Sequence, residues 1–259
     1  MSRFSALVVA AALVALAALA PAPPAGAQSR TLVVGSSATY PPFAYETPTR
    51  QIVGFDVDII TAVAKKSGLT VRLVNTPFTG VFASLNNGDI DLIISGVTIN
   101  ERRKQSYDFT APYFEARQLM AVPAASTVKS LMDLAGKKIA VVTGSTGDDV
   151  ASRAFGKTSA NIRRFDTTPL IIAELVAYGV DAAIGDNGVI AYRVQEQKSL
   201  KTVADPGFPK EYFGIVVKQG NAALKDTLNA GLAGIIKDGT YARIYRQWFK
   251  AEPPVLPTQ

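Results

Sequence analysis

The sequence predicts an α/β protein of two small lobes, each an open, mainly parallel sheet flanked by helices. Three observations lead there. Short β-rich runs alternate with helical patterns from residue 31 onward, which is the rhythm of βαβ units. The rhythm breaks near Leu119 and then starts a second round. Helical patterns end at Gly68, Gly88 and Gly179, where glycine supplies the stop.

Taken in order, residues 31–37 read as a strand. Residues 55–67 read as a helix, with Ile59, Ile60, Val63 and Ala64 on one face. Residues 70–75 return to strand, 81–87 form a short helix, and 91–95 form a buried strand. In the second round a helix starts at Ser130. Residues 138–142, 162–165 and 181–185 are strands, and 147–155, 169–178 and 187–195 are helices. One more strand over 213–218 and helices over 222–237 and 241–250 complete the pattern. The Pro-rich tail from Glu252 reads as loose. Two such units imply a cleft between them, and in open α/β sheets ligands sit beyond the carboxyl ends of the strands. The polar residues at those ends are Ser37, Ser95-Gly96, Thr143 to Gly147, and Gly185-Asp186.

The chain begins with Arg3, an almost unbroken apolar run over 4–20, the break at Pro21 to Pro24, and then Ala25-Gly26-Ala27. That is the pattern of a secretory signal peptide cleaved after Ala27, and it marks the mature protein as secreted. The rival reading is a membrane anchor, for which the apolar core is at the short limit. With no Cys there is no lipid-anchoring cysteine, no disulfide and no thiolate metal ligand. With no His, Ser-His-Asp triads, zinc hydrolases and histidine phosphotransfer are excluded. No metal or cofactor is expected. The formal charge is +6, but Lys and Arg are scattered as pairs, and the longest run is Arg102-Arg103-Lys104. Without a basic helix or a basic stretch interleaved with aromatics, no nucleic-acid partner is expected. The charge reads as solvated faces, with some attraction for anions or an anionic membrane surface.

Several segments carry candidate chemistry. Gly144-Ser145-Thr146-Gly147 opens a helix after a strand, a turn whose N–H groups favour an anion. Asp148-Asp149 follow where a P-loop needs Lys and Ser/Thr, so a triphosphate is disfavoured and a small carboxylate is not. The plain alternative is a Gly-rich strand–helix turn. In Ser95-Gly96-Val97-Thr98-Ile99-Asn100-Glu101-Arg102-Arg103 a guanidinium can grip a carboxylate through two hydrogen bonds, with Thr98 as an added donor; the alternative is a hydrated loop. Asp186 either holds an ammonium group or caps the helix that begins at Asn187. Tyr40, Phe43 and Phe78 follow strands and serve either a ligand's apolar stem or the core. Ser126-Thr127-Val128-Lys129 has the serine–lysine spacing of penicillin-binding enzymes without their companion motifs, and reads as a loop.

Together these segments resemble the bacterial extracellular solute-binding family for polar amino acids, which includes glutamine-, histidine- and lysine/arginine/ornithine-binding proteins. The carrying blocks are Tyr40-Pro41-Pro42-Phe43, Gly54-Phe55-Asp56-Val57-Asp58, Gly96-Val97-Thr98-Ile99 with Arg103, Asp108 to Tyr113, Gly144 to Gly147, Asp181-Ala182 with Asp186, and Gly239-Thr240-Tyr241 through Trp248-Phe249. The resemblance implies the two-lobed, type II periplasmic-binding-protein-like fold. Lobe one takes residues 28–112 and 214–259, lobe two takes 118–208, and hinge crossings lie at 113–117 and 209–213. It implies a monomer that closes on a free amino acid and hands it to the membrane permease of an ABC transporter, without catalysis. Arg103 would take the α-carboxylate, with Thr98 and the N–H groups at Thr146-Gly147. Asp186, with oxygens at Ser95 and Gly96, would hold the α-ammonium, and Tyr40 and Phe78 would clasp the side chain. Ser37 stands where many relatives carry an acid, and Val142 where many carry a long polar residue, which counts against a strongly cationic ligand. The alternatives are an enzyme similar to cyclohexadienyl dehydratases on the same scaffold, with Asp186 or Glu101 as acid or base, and a receptor's sensor domain.

Overall fold

The computed structural model describes residues 30–257; the signal-peptide segment and its cleavage site lie outside the described residues. The chain runs β1 (Leu32–Ser36), β2 (Thr39–Tyr40), β3 (Ala44–Glu46), β4 (Ile52–Val53), α1 (Phe55–Lys66), β5 (Val71–Asn75), α2 (Phe78–Asn87), β6 (Leu92–Ile93), α3 (Glu101–Lys104) and β7 (Tyr107–Phe109). It crosses through β8 (Phe114–Ala116) into β9 (Gln118–Pro123), a 3-10 turn at Leu131–Leu134, β10 (Ile139–Val142), α4 (Thr146–Phe155), β11 (Ile162–Phe165), α5 (Thr168–Val176), β12 (Ala182–Asp186), α6 (Asn187–Gln195) and β13 (Leu200–Val203). It returns through β14 (Glu211–Phe213) to β15 (Val216–Lys218), α7 (Ala222–Lys237) and α8 (Thr240–Phe249).

Two five-stranded sheets result. The first is ordered β5-β1-β6-β15-β7 and the second β11-β10-β12-β9-β13. In each, the βαβ-connected strands are parallel, and the strands next to a crossing are antiparallel. The period-2 alternation of β10 shows why helices cover both faces. Ile139 and Val141 join one apolar cluster with Val150 of α4, and Ala140 and Val142 join another with Ile171 of α5. In the first sheet Leu92 and Ile93 divide between clusters in the same way.

β8 and β14 pair with each other as a separate two-stranded ladder, Phe114 opposite Phe213. The two rings stack at 5.4 Å, and both meet Phe43, which is fully buried and belongs to the core. The strand expected over 213–218 is therefore two strands. Gly214 breaks it where the chain passes Ile99 so closely that a Cβ would stand 2.9 Å from that side chain. The helix expected from residue 81 begins at Phe78, with Pro77 at its N-cap. The segment after Ser130 is a single 3-10 turn closed by a capping box with Asp133. Among the described residues, no helix is long and apolar enough to cross a membrane.

Candidate functional site

The carboxyl ends of β1 and β6 in one lobe and of β10, β11 and β12 in the other line one crevice. Ser37, Tyr40, Phe78, Ser95, Gly96, Thr98 and Arg103 face it from the first lobe, and Thr146 and Asp186 from the second. Gly147 lies just outside this lining. Its Cα is turned onto β12, where a Cβ would stand 2.9 Å from the Ile184 carbonyl oxygen.

Arg103 is held from below. The Asn100 side chain accepts from its backbone N–H at 2.9 Å and caps α3. Its guanidinium lies 5.8 Å from the Phe78 ring centroid and 5.6 Å from that of Phe82. Nη1 donates to the Thr98 carbonyl at 2.9 Å, and Nη2 reaches across to the Gly144 carbonyl at 3.3 Å. Burial, and then neighbouring Arg102, pull its pKa below the usual arginine value. Arg102 points away and pairs with Asp149 at 2.9 Å, and Glu101 is exposed and pairs with Lys104.

Asp186 occupies the N-cap position of α6, yet its side chain makes no capping hydrogen bond. It turns into the crevice instead. Oδ2 accepts the hydroxyl of Tyr40 from the opposite lobe, and Oδ1 accepts Gln118 Nε2 at 2.8 Å. Burial, and then nearby Glu211, push its carboxyl up to about 7. Ser95 Oγ accepts the Ser37 amide at 3.0 Å, which ties β6 to β1. Gly96, at φ +56°, lies so close to the Tyr40 ring that a Cβ would stand 2.7 Å from it, and its amide donates to Asp56 Oδ2 at 2.9 Å.

Four polar residues at or beside the crevice are not among the expected site residues. Glu211 of β14 takes the hydroxyls of both Thr98 and Thr146 at 2.9 Å. Thr98, expected as a donor to a ligand carboxylate, thus gives its proton to a carboxylate of the protein. Gln118 is buried beside it. Asp56 is fully buried under Gly96, and burial, partly offset by the Gly96 amide, raises its carboxyl to about 7. Asp166, after β11, lines the crevice and makes no hydrogen bond or ion pair among the described residues. Only Asp166 carried a usable signal, since it follows a strand as Asp186 does. Among the described residues no cluster of Asp and Glu is placed to hold a metal ion.

Residues 32–251 match the bacterial extracellular solute-binding proteins, family 3. The chain belongs to that family. A family 3 relative from Neisseria gonorrhoeae, described as a probable histidine-binding protein, is 39% identical over 234 residues, 89% of this chain and 87% of its own. Among solved structures, the arginine-, lysine-, histidine-binding protein ArtJ of Geobacillus stearothermophilus superposes with a TM-score of 0.84 at 42% identity, over 86% of this chain and 97% of the other. An ancestral amino acid-binding protein described as a precursor of cyclohexadienyl dehydratase superposes with a TM-score of 0.78 at 34% identity, over 85% and 95%. The two-lobed architecture of this family 3 protein is that of these neighbours.

Proposed function

We propose that this protein captures a free L-amino acid with a polar or basic side chain between its lobes and delivers it to the permease of an ABC transporter. The observation that carries the reading is one crevice in which Arg103 comes from one lobe and Asp186 from the other. A zwitterion taken out of water needs an opposite charge at each end, and these two groups supply them. The relatives named as histidine- and arginine-binding support the same class.

Asp166 favours the basic members of that class. With Arg103 and Asp186 assigned to the zwitterion, a second carboxylate is left in the lining, which offsets the neutral Ser37 and Val142. The β8–β14 ladder is the hinge, at 113–117 and 209–213, between lobe one (28–112 and 214–259) and lobe two (118–208). Ligand stabilises the shut form because only there do both charged groups reach it. The protein works as a monomer in the periplasm after cleavage at Ala27.

A thermal-shift screen against the common L-amino acids tests the reading, since a ligand of the folded state raises its melting temperature. Calorimetric titration of Arg103→Ala with the best ligand follows. Charge-assisted hydrogen bonds of roughly 1.5–3 kcal/mol each predict at least a tenfold loss on a folded protein. Unchanged affinity would remove Arg103 from the site. An enzyme on this scaffold would draw on Asp186, whose carboxyl near 7 suits acid–base work. Incubation with prephenate or arogenate is expected to yield no aromatic product.

A further inference from the structure

Glu211 stands between the ligand crevice and a second, outer crevice between the lobes. Thr98 and Thr146 line both, and Glu211 lines the outer one. Its Oε2 accepts Thr98 Oγ1 from the first lobe and Thr146 Oγ1 from the second, each at 2.9 Å. Gln118, 2% exposed, brings Nε2 within 3.3 and 3.4 Å of the same carboxylate. That nitrogen also donates to Thr146 Oγ1 at 2.9 Å and to Asp186 Oδ1 at 2.8 Å. One carboxylate on a crossing strand thus joins hydroxyls from opposite lobes and, through Gln118, the acid of the ligand crevice.

A hydroxyl has one proton and two lone pairs. When that proton points at Glu211, the hydroxyl can offer a ligand only lone pairs. A hydroxyl so fixed repels a carboxylate oxygen and attracts an N–H. We propose that Glu211 is a positioning residue for ligand binding: by taking the hydroxyl protons of Thr98 and Thr146, it fixes both as acceptors and so directs them to the ligand's α-ammonium rather than its carboxylate. The inference rests on the amino-acid reading and adds polarity to it. The carboxylate is left to Arg103 and backbone N–H groups, while the ammonium meets Asp186 with at least one oriented hydroxyl. Because the two threonines come from different lobes, the orientation is set only as the lobes shut. Closure and recognition of the amino group become one event.

A merely structural Glu211, tying the lobes together, would strengthen every ligand alike. The test therefore compares three forms of one ligand by calorimetric titration: the amino acid, its methyl ester and its α-deaminated acid. Series built on L-arginine, L-histidine and L-glutamine are used with wild type, Glu211→Ala and Glu211→Gln. In the series that binds, Glu211→Ala is expected to weaken the amino acid and the ester roughly tenfold or more, as one to two lost hydrogen bonds to a charged group require. The deaminated acid should change less than about threefold, because freed hydroxyls can donate to it. Glu211→Gln keeps one acceptor oxygen and should fall between the two; it also decides the matter should Glu211→Ala fail to fold. Equal losses for all three forms, or the largest loss for the deaminated acid, would overturn the proposal. A wild type that binds no L-amino acid, these three or any other in the thermal-shift screen, would overturn the amino-acid reading and this proposal together.

Discussion

Asp186 shows what a single residue's surroundings decide. In sequence its two roles, helix cap and ammonium partner, are equally physical, since Asp at a strand–helix junction serves either. The structure speaks against the cap alone, because the carboxylate makes no cap bond and receives Tyr40 and Gln118. The charged or titratable groups that face it are Tyr40, Glu211 and Arg103, and with burial leading they leave its carboxyl at about 7. An ammonium binds the ionised form, so affinity should rise with pH through that value. A single site at about 7 gives roughly a tenfold gain from pH 6 to 8. Asp186→Asn should abolish that slope and weaken amino acids more than their deaminated analogues; calorimetry at three pH values checks both. Asp166 supplies a second, separable prediction. Asp166→Asn should weaken L-arginine or L-histidine roughly two- to fivefold more than L-glutamine, as loss of a solvated charge pair implies. Equal losses in a competition assay would remove Asp166 from side-chain recognition.

Elements were legible where periodicity is strong and illegible where packing alone decides. Helices α6 and α7 and strand β11 have the bounds that the sequence predicts, and α7 shows the reason most plainly, since it buries the single stripe Leu228, Gly231, Leu232 and Ile235. The edge strands β7 and β13 were not read. They are three and four residues long and half polar, and they become strands only because a neighbour offers its ladder. Glu211 and Gln118 were invisible for the same reason: both lie on or beside the crossing strands, whose pairing follows from the fold and not from local pattern. Gly147 shows an element's position resting on one missing atom. Alanine there would gain up to ~1 kcal/mol of helix propensity. Its Cβ would, however, press on the Ile184 carbonyl at 2.9 Å and on Gln118 Oε1 at 3.0 Å, and a backbone oxygen cannot rotate away. Overpacking of this kind costs ~1–3 kcal/mol, so the clash wins. Gly147→Ala should lower the melting temperature by about 2–8 °C and weaken ligand binding as α4 shifts from β12, both measurable by thermal shift.

At the scale of the whole molecule, the balance between open and shut forms is set by contacts across the lobes, and its stability by the acids they bury. Arg102 and Asp149 form an exposed ion pair across the cleft at 2.9 Å. Exposed pairs are worth up to ~1 kcal/mol, so Arg102→Gln should weaken ligand binding by at most about fivefold, and less at high salt. The larger effect is on pH. The chain has no His, so any change in its stability between pH 5 and 8 must come from displaced groups. Asp56 in one lobe and Asp186 in the other are both raised from the ordinary carboxyl range to about 7. Between about pH 4 and 7 the folded protein therefore holds protons that the unfolded chain has released. Their stabilising effect is complete below the unfolded value and is lost as pH rises through the folded one, by ~1.4 kcal/mol per pH unit for each acid. Carboxylates held low, such as Asp238 at about 2, act only below the ordinary range and leave this window alone. The ligand-free melting temperature should accordingly fall from pH 5 to 7 and then level off, with Asp56→Asn removing about half of the slope. A bound ammonium keeps Asp186 ionised, so saturating ligand should remove the other half. Melting curves with and without ligand at pH 5, 6, 7 and 8 test this directly. A slope that ligand leaves unchanged would mean that the amino group does not meet Asp186.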